Sequence, residues 1–147
     1  MFDERDGSVK SAKDQFHDLV KDALINDGWS ITHDPYRIEL GFTDLYIDLG
    51  AERLIAAERN NEKIAIEIKS FLSASIISEF HGAIGQFINY RLALEDEEPD
   101  RTLHLAVPNT IYSAFFSYPF IQKSIKRNQI PLLIYDISQP RISQWIN

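Results

Sequence analysis

The chain has 147 residues, of which 44% are hydrophobic and 25% charged, a composition typical of a single folded domain over 1–147. Its net charge of −7 argues against a non-specific nucleic-acid coat, which needs a net basic surface. The absence of cysteine excludes disulfides, thiolate zinc sites and cysteine nucleophiles. The polar first residues and the lack of a long apolar run predict a cytoplasmic protein without a membrane partner.

The first predicted element is an amphipathic helix. Apolar residues recur at three- and four-residue spacing from Ser8 onward, which is the helical period. Asp6 or Ser8 can cap its start, and Gly28 can adopt the left-handed conformation that ends it. A short strand is predicted next, at 29–33.

Alternating patterns then predict three strands. Over 45–49 the apolar residues share one face, so that Asp48 points to the other. Two further strands, 53–58 and 63–71, form a predicted hairpin, because the Asn60-Asn61 pair between them has turn chemistry.

The rest of the chain alternates helices with strands, in order a helix at 75–94, a strand at 102–107, a helix at 109–127 that Pro119 interrupts, and strands at 132–136 and 142–146 that close as a hairpin. The acidic run 95–100 is interpreted as a solvated loop. This order predicts an α/β fold, with a central mixed β-sheet flanked by α-helices.

The pattern that points to chemistry is Glu67-Ile68-Lys69. In a strand the carboxylate and the ammonium lie side by side while Ile68 faces the core, and Asp48 on a neighbouring strand can share their face, which is not committed to apolar packing. Two carboxylates and a backbone carbonyl suit Mg²⁺, and Lys69 can position or deprotonate a nucleophile. The default alternative is an ion pair on an exposed sheet face.

These residues resemble the motif of the PD-(D/E)XK phosphodiesterase superfamily. Asp48 matches its Asp, and Glu67 with Lys69 matches its Glu-x-Lys; Gln86 and Tyr90 match the Gln-x-x-x-Tyr of the RecB-like branch, in which they assist the site. The resemblance implies a restriction-endonuclease-like fold and an endo- or exodeoxyribonuclease that uses Mg²⁺ or Mn²⁺. Without it, Gln86 is equally interpreted as a cap on a neighbouring strand edge and Tyr90 as a boundary packing residue.

Nearly the whole chain also resembles the XisH family of excision-controlling factors, found largely in cyanobacteria. The segments that carry this resemblance are Asp14-Gln15-Phe16-His17, Asp27-Gly28-Trp29-Ser30, Ile47-Asp48-Leu49-Gly50, Ile66-Glu67-Ile68-Lys69 and Gln144-Trp145-Ile146. The resemblance implies action with a small partner, XisI, in controlling the excision of a DNA element by a site-specific recombinase during heterocyst differentiation.

Three residues stay open as additional members of the site. Many superfamily nucleases carry a metal-binding Glu on the opening helix, where this chain has His17, which suits Mn²⁺ better than Mg²⁺ or is a boundary residue. Glu52 and Glu58 are the candidates for a second acid, because the spacing from Asp48 to Glu67 is long.

Lys123, Lys126 and Arg127 have helical spacing and form a candidate nucleic-acid contact, or else a solvated helix face. The first functional hypothesis is therefore a nuclease site within an excision-controlling factor. The alternatives are an inactive nuclease-like adaptor that binds XisI, DNA or a recombinase, and a simple protein-interaction surface. A homodimer is predicted by analogy with other enzymes of the fold.

Overall fold

The computed structural model describes residues 11–42, 44–45 and 54–147. The helices are α1 (Ala12–Asn26), α2 (Ile76–Glu97), α3 (Asn109–Ala114) and α4 (Pro119–Arg127). The strands are β1 (Ser30–His33), β2 (Ile38–Glu39), β3 (Asp44–Leu45), β4 (Leu54–Arg59), β5 (Glu62–Ile68), β6 (Arg101–Pro108), β7 (Leu132–Tyr135) and β8 (Ile142–Ile146). No helix in the described ranges is both long enough and apolar enough to cross a membrane.

A six-stranded mixed sheet organises the fold, in the order β1-β4-β5-β6-β7-β8. The central pairs β5–β6 and β6–β7 are parallel, and the outer pairs are antiparallel. This confirms the predicted mixed α/β class and the closing hairpin. A separate two-stranded sheet pairs β2 with β3. Strand β2 was not predicted, whereas β3 overlaps the predicted strand 45–49 at Leu45, and the rest of that predicted strand lies outside the described residues.

The two faces of the sheet carry different helices. Ile64 and Ile66 of β5 belong to the hydrophobic cluster that contains Val20 and Leu24 of α1. Ala65, one residue out of phase, belongs to the cluster that contains Phe80, Phe87 and other residues of α2. The alternation predicted for β5 is thus confirmed, and it assigns the side of Ala65, Glu67 and Lys69 to α2.

The start of α1 differs from the prediction. The helix begins at Ala12, and the hydroxyl of Ser11 accepts a hydrogen bond from the Asp14 backbone N–H at 3.1 Å. Capping by Asp6 or Ser8 is therefore wrong; both residues also lie outside the described ranges. The apolar residues continue toward the N-terminus past Ser11, so their spacing did not show which residue caps the helix.

Two predicted turns are confirmed by the backbone. Gly28 has φ +93° directly after α1, a conformation that glycine adopts at low cost. Asn60 and Asn61 have φ 49° and 69°, which is the geometry of the tight turn that joins paired strands such as β4 and β5.

The acidic run 95–100 is not simply a solvated loop, so that interpretation is corrected. Helix α2 continues to Glu97, and the carboxylate of Glu98 accepts hydrogen bonds from the Tyr36 hydroxyl at 2.5 Å and from the Arg101 guanidinium at 3.0 Å. Arg101 is only three residues from Glu98, but Tyr36 is 62 residues away, so the local charge pattern could not reveal the contact with Tyr36.

The region 109–127 is divided as predicted around Pro119. Helix α3 ends at Ala114, a 3₁₀ turn covers Phe115–Ser117, and Pro119 is the first residue of α4, where its missing N–H costs nothing.

Candidate active site

Glu67 and Lys69 lie at the carboxyl end of β5, a central strand. Glu67 pairs in register with Leu54 on one side and Leu105 on the other, and it is 0% exposed. Lys69, also buried, places its Nζ 3.8 Å from a carboxylate oxygen of Glu67. Charged side chains therefore interrupt a face of the sheet that is otherwise apolar.

The burial of this pair overturns two of the interpretations made from the sequence. The face that carries Glu67 and Lys69 packs against α2, so it is committed to the core and the exposed ion pair is wrong. Removing both charges from water costs free energy that the attraction between them only partly returns. Such an arrangement is weak support for stability and is typical of functional sites.

Gln86 joins the pair from helix α2. Its side-chain oxygen accepts a hydrogen bond from Lys69 Nζ at 2.7 Å. Tyr90, one turn further along α2, is buried in the hydrophobic cluster of that face. The structure thus brings Glu67, Lys69 and Gln86 together, whereas the assisting role of Tyr90 stays a prediction.

The segment after β5 is held by contacts that the sequence did not reveal. The carboxylate of Glu79, in the first turn of α2, accepts hydrogen bonds from the backbone N–H groups of Phe71 at 2.7 Å and Ser73 at 3.1 Å. Phe71 has φ 55°, an uncommon conformation for a large residue. The hydroxyl of Tyr135 donates to the Lys69 carbonyl at 3.1 Å. The acidic residue in the first turn of α2 was the available signal.

Asp48 and Glu52 lie outside the described residues, so the pairing of Asp48 with Glu67 stays a prediction. Within the ranges that the structure describes, no three His, Cys, Asp or Glu residues are grouped as metal ligands. Of the two proposed carboxylate ligands, the described site therefore contains Glu67 alone.

His17 contacts a different carboxylate. Its buried ring places Nε2 3.0 Å from Asp34, whose other oxygen lies 2.7 Å from Lys21 Nζ. Burial favours the neutral acid, but hydrogen bonds from Lys21 and His17 outweigh it and hold the pKa of Asp34 below its ordinary value. The ring of His17 therefore joins α1 to the residue that follows β1.

Glu58 is not a second acid of this site, which corrects that alternative. It pairs with Lys63 at the turn end of the β4–β5 hairpin, whereas Leu54 pairs with Glu67 at the other end. Four residues along a strand span about 13 Å. The Glu58 carboxylate instead lies 3.3 Å from the Arg101 guanidinium.

Lys123, Lys126 and Arg127 are exposed on α4, a placement that fits both a phosphate contact and a solvated face. Their contact with nucleic acid stays a prediction.

Comparisons with known proteins give a consistent result over most of the chain. The family model described as XisH protein matches residues 10–143. The crystal structure of an XisH family protein from Nostoc punctiforme PCC 73102 is 54% identical, with a TM-score of 0.84 over 90% of this chain and 99% of that one. A fdxN element excision controlling factor protein from Anabaena variabilis is also 54% identical, with a TM-score of 0.84 over 91% and 99%. No curated protein is significantly similar to this chain in sequence.

Proposed function

Because the chain belongs to the XisH family, we propose that it controls the excision of a DNA element, the role that the name of the Anabaena variabilis protein gives to that relative. We propose further that it acts through a metal-dependent phosphodiesterase site on a PD-(D/E)XK-like scaffold. The observation that carries this second step is the buried Glu67–Lys69 pair, 3.8 Å apart, with Gln86 bonded to the lysine.

The donor set is compatible with a hard divalent cation. Mg²⁺ and Mn²⁺ favour carboxylate oxygens, and Mg²⁺ keeps several waters, so Glu67 suits one ligand position and Asp48 is the proposed second ligand. When bound, the ion would polarise the phosphodiester and lower the pKa of a water molecule. The described residues supply the first of these ligands only.

Lys69 is proposed to act on the substrate or the nucleophile rather than on the metal. Its ammonium group carries positive charge beside Glu67, where it can offset the negative charge that develops on a phosphate or position the attacking nucleophile. Gln86 is a positioning residue, because its side-chain oxygen fixes the direction of Lys69 Nζ. Tyr90 is proposed to assist from the same helix, and Lys123, Lys126 and Arg127 are the proposed phosphate contacts.

The adaptor is the second candidate function, and one observation favours it: Glu67 is completely buried. A carboxylate in contact with substrate needs access, whereas a scaffold that only binds partners does not. In both versions the proposed partners are a small XisI-type protein, DNA and a site-specific recombinase, with a homodimer as the proposed assembly.

A cleavage assay separates the two candidates. Purified protein is incubated with supercoiled, linear and single-stranded DNA in Mg²⁺ or Mn²⁺, with and without an XisI-type partner. We expect nicking or degradation that Glu67→Gln and Lys69→Ala abolish and that Glu95→Gln, an exposed acid on α2, leaves unchanged. Circular dichroism confirms that each variant is folded.

Two results would overturn the catalytic proposal. The first is the absence of cleavage of every substrate with either metal, with or without the partner. The second is cleavage that survives in folded Lys69→Ala protein. A tight partner complex that is unaffected by Glu67→Gln, combined with no cleavage, would instead support the adaptor.

A further inference from the structure

A cavity lies at the opposite end of β5 from Glu67 and Lys69. It has a volume of about 720 Å³ and opens where β5 and β6 begin, next to Lys63 and Thr102. This size falls within the range of small-molecule sites. Its lining includes Trp29 and Trp145 beside several charged residues, so it differs from the Glu67–Lys69 site in its aromatic wall.

Three aromatic rings form one wall of this cavity. Helix α1 ends at Asn26, and the turn through Gly28 brings Trp29 against Trp145 of β8, with ring centroids 5.9 Å apart. The ring of His104 meets Trp145 edge-on at 5.2 Å. Trp29 and His104 are buried whereas Trp145 is half-buried, so Trp145 is the ring that offers a face to a ligand.

The charges at the rim neutralise one another within the protein. Arg59 lies over the Trp29 ring at 4.3 Å and donates to the carbonyl and carboxylate of Asp27 at 2.7 and 2.9 Å. Lys63 Nζ lies 3.5 Å from the carboxylate of Asp100. Glu62, the remaining charged residue of the lining, lies 3.8 Å from Arg59, so each charged side chain of the lining has a partner of opposite charge and the fit is to a neutral molecule.

The accessible polar groups of the lining suit a ligand with hydrogen-bonding edges. The indole Nε1–H of Trp29 is buried beyond the reach of a ligand, so the polar contacts fall to residues nearer the opening. Burial holds the pKa of His104 below its ordinary value, so its ring is neutral at physiological pH. The hydroxyl of Thr102 and the amide of Asn61 also line the cavity.

We propose that this cavity binds a nucleobase, which stacks on Trp145 and presents its polar edge toward Thr102 and Asn61. A nucleobase is flat and neutral, has hydrogen-bonding groups at its edge and stacks well on tryptophan. The base belongs either to a free nucleoside or to an unpaired nucleotide of DNA, and neither source requires cleavage at Glu67.

The sequence supplies a direct optical probe of this proposal. It contains two tryptophans, and both line this cavity, so tryptophan fluorescence reports on the site alone. Titration with adenosine, guanosine, cytidine and thymidine should give saturable quenching for at least one of them, confirmed by calorimetry. Trp145→Ala should weaken that binding, measured by calorimetry, by about tenfold or more, as expected for the loss of one stacking partner.

A blocking variant protects the test from loss of folding. Thr102 is exposed and lines the cavity, so Thr102→Tyr should fill it and abolish the saturable quenching. Thr110→Tyr, at an exposed position of α3 away from this lining, should bind as the wild type does. Glu67→Gln should also leave binding unchanged, which separates this result from the fate of the nuclease proposal.

A single-stranded oligodeoxynucleotide distinguishes the two sources of the base. Tighter binding of the oligonucleotide than of the nucleoside, with the same sensitivity to Thr102→Tyr, assigns the base to DNA; the reverse order assigns it to a free nucleoside. The proposal is overturned if no nucleoside or oligonucleotide causes saturable quenching, or if folded Thr102→Tyr protein binds as tightly as the wild type.

Discussion

Replacing Glu98 with alanine tests whether the acidic end of α2 is a structural junction. The Glu98 carboxylate accepts hydrogen bonds from Tyr36 and from Arg101, whose guanidinium is buried and also donates to the Ile64 carbonyl at 3.0 Å. Glu98→Ala removes the shared acceptor of both donors. We therefore expect a clear loss of stability, although Glu98 lies in an acidic run at the end of α2 where substitutions would ordinarily have little effect.

The size of the loss follows from these contacts. Each hydrogen bond to a charged group contributes about 1.5 to 3 kcal/mol, and the lower end applies because the Glu98 side chain is 26% exposed. Tyr36 keeps a contact with Glu97 at 3.2 Å and Arg101 keeps one with Glu58 at 3.3 Å. These remaining partners reduce the expected loss to about 2 kcal/mol, or about 4 to 8 °C in Tm.

Urea denaturation followed by circular dichroism measures this loss. Glu95→Ala, an exposed acid on the same helix, is the matched control and should change the unfolding free energy by less than about 0.5 kcal/mol. Combining Glu98→Ala with Tyr36→Phe should cost less than the sum of the single changes. The reasoning is refuted if Glu98→Ala is as stable as Glu95→Ala, or if the two changes at Glu98 and Tyr36 add fully.

The pH dependence of that loss is a further check. Burial raises the pKa of Glu98, but its bonds to Tyr36 and Arg101 outweigh burial, so the folded pKa lies below the ordinary value. A lowered carboxyl pKa contributes stability above the unfolded pKa, and this contribution is lost as the pH falls through the folded pKa. The gap between wild type and Glu98→Ala should therefore narrow in acid.

Two more predictions concern α1 and its C-terminal turn. Asp34→Asn should destabilise the protein at neutral pH by about 2 kcal/mol, because it removes the charge that His17 and Lys21 contact. Since the pKa of Asp34 is lowered, the difference in unfolding free energy between wild type and variant should shrink as the pH falls. Denaturation curves at pH 7 and in acid measure this difference. Gly28→Ala should cost about 1 kcal/mol or more in unfolding free energy, because φ is +93°, whereas the added Cβ would make only an ordinary contact with Arg59 Cδ at 3.4 Å. Gly41→Ala, with φ +94° and nothing within 4 Å, should cost a similar amount, and a much larger loss at Gly28 would contradict backbone strain as the common cause.

Local patterns in the sequence were sufficient for most of the fold. Helical spacing identified α1 and α2, and alternation assigned Glu67 and Ile68 to opposite faces of β5. Each of these predictions depends on residues a few positions apart. Strand β2 was missed because a two-residue strand has no measurable period.

Non-local contacts explain what the sequence could not give about the site. The Glu-x-Lys pattern identified the charged pair, but its burial depends on the packing of α2, which follows later in the chain. The contact of Glu98 with Tyr36 joins residues 62 positions apart, and no periodic pattern marks it. The Lys69–Gln86 bond agrees with the placement of Gln86 after the Glu-x-Lys motif, although spacing alone did not predict which atoms meet.

The contacts of α2 with the end of β5 fix the spacing of two residues along that helix. Glu79 and Gln86 are seven residues apart, about two turns, and they contact the backbone at Phe71 and the side chain of Lys69 at the same time. Inserting one residue into α2 between Glu79 and Gln86 would rotate one of these side chains by about 100° about the helix axis relative to the other, so the two contacts could not be kept together. The two-turn spacing therefore sets the rotational phase of Gln86 relative to the start of α2, and with it the direction of the lysine.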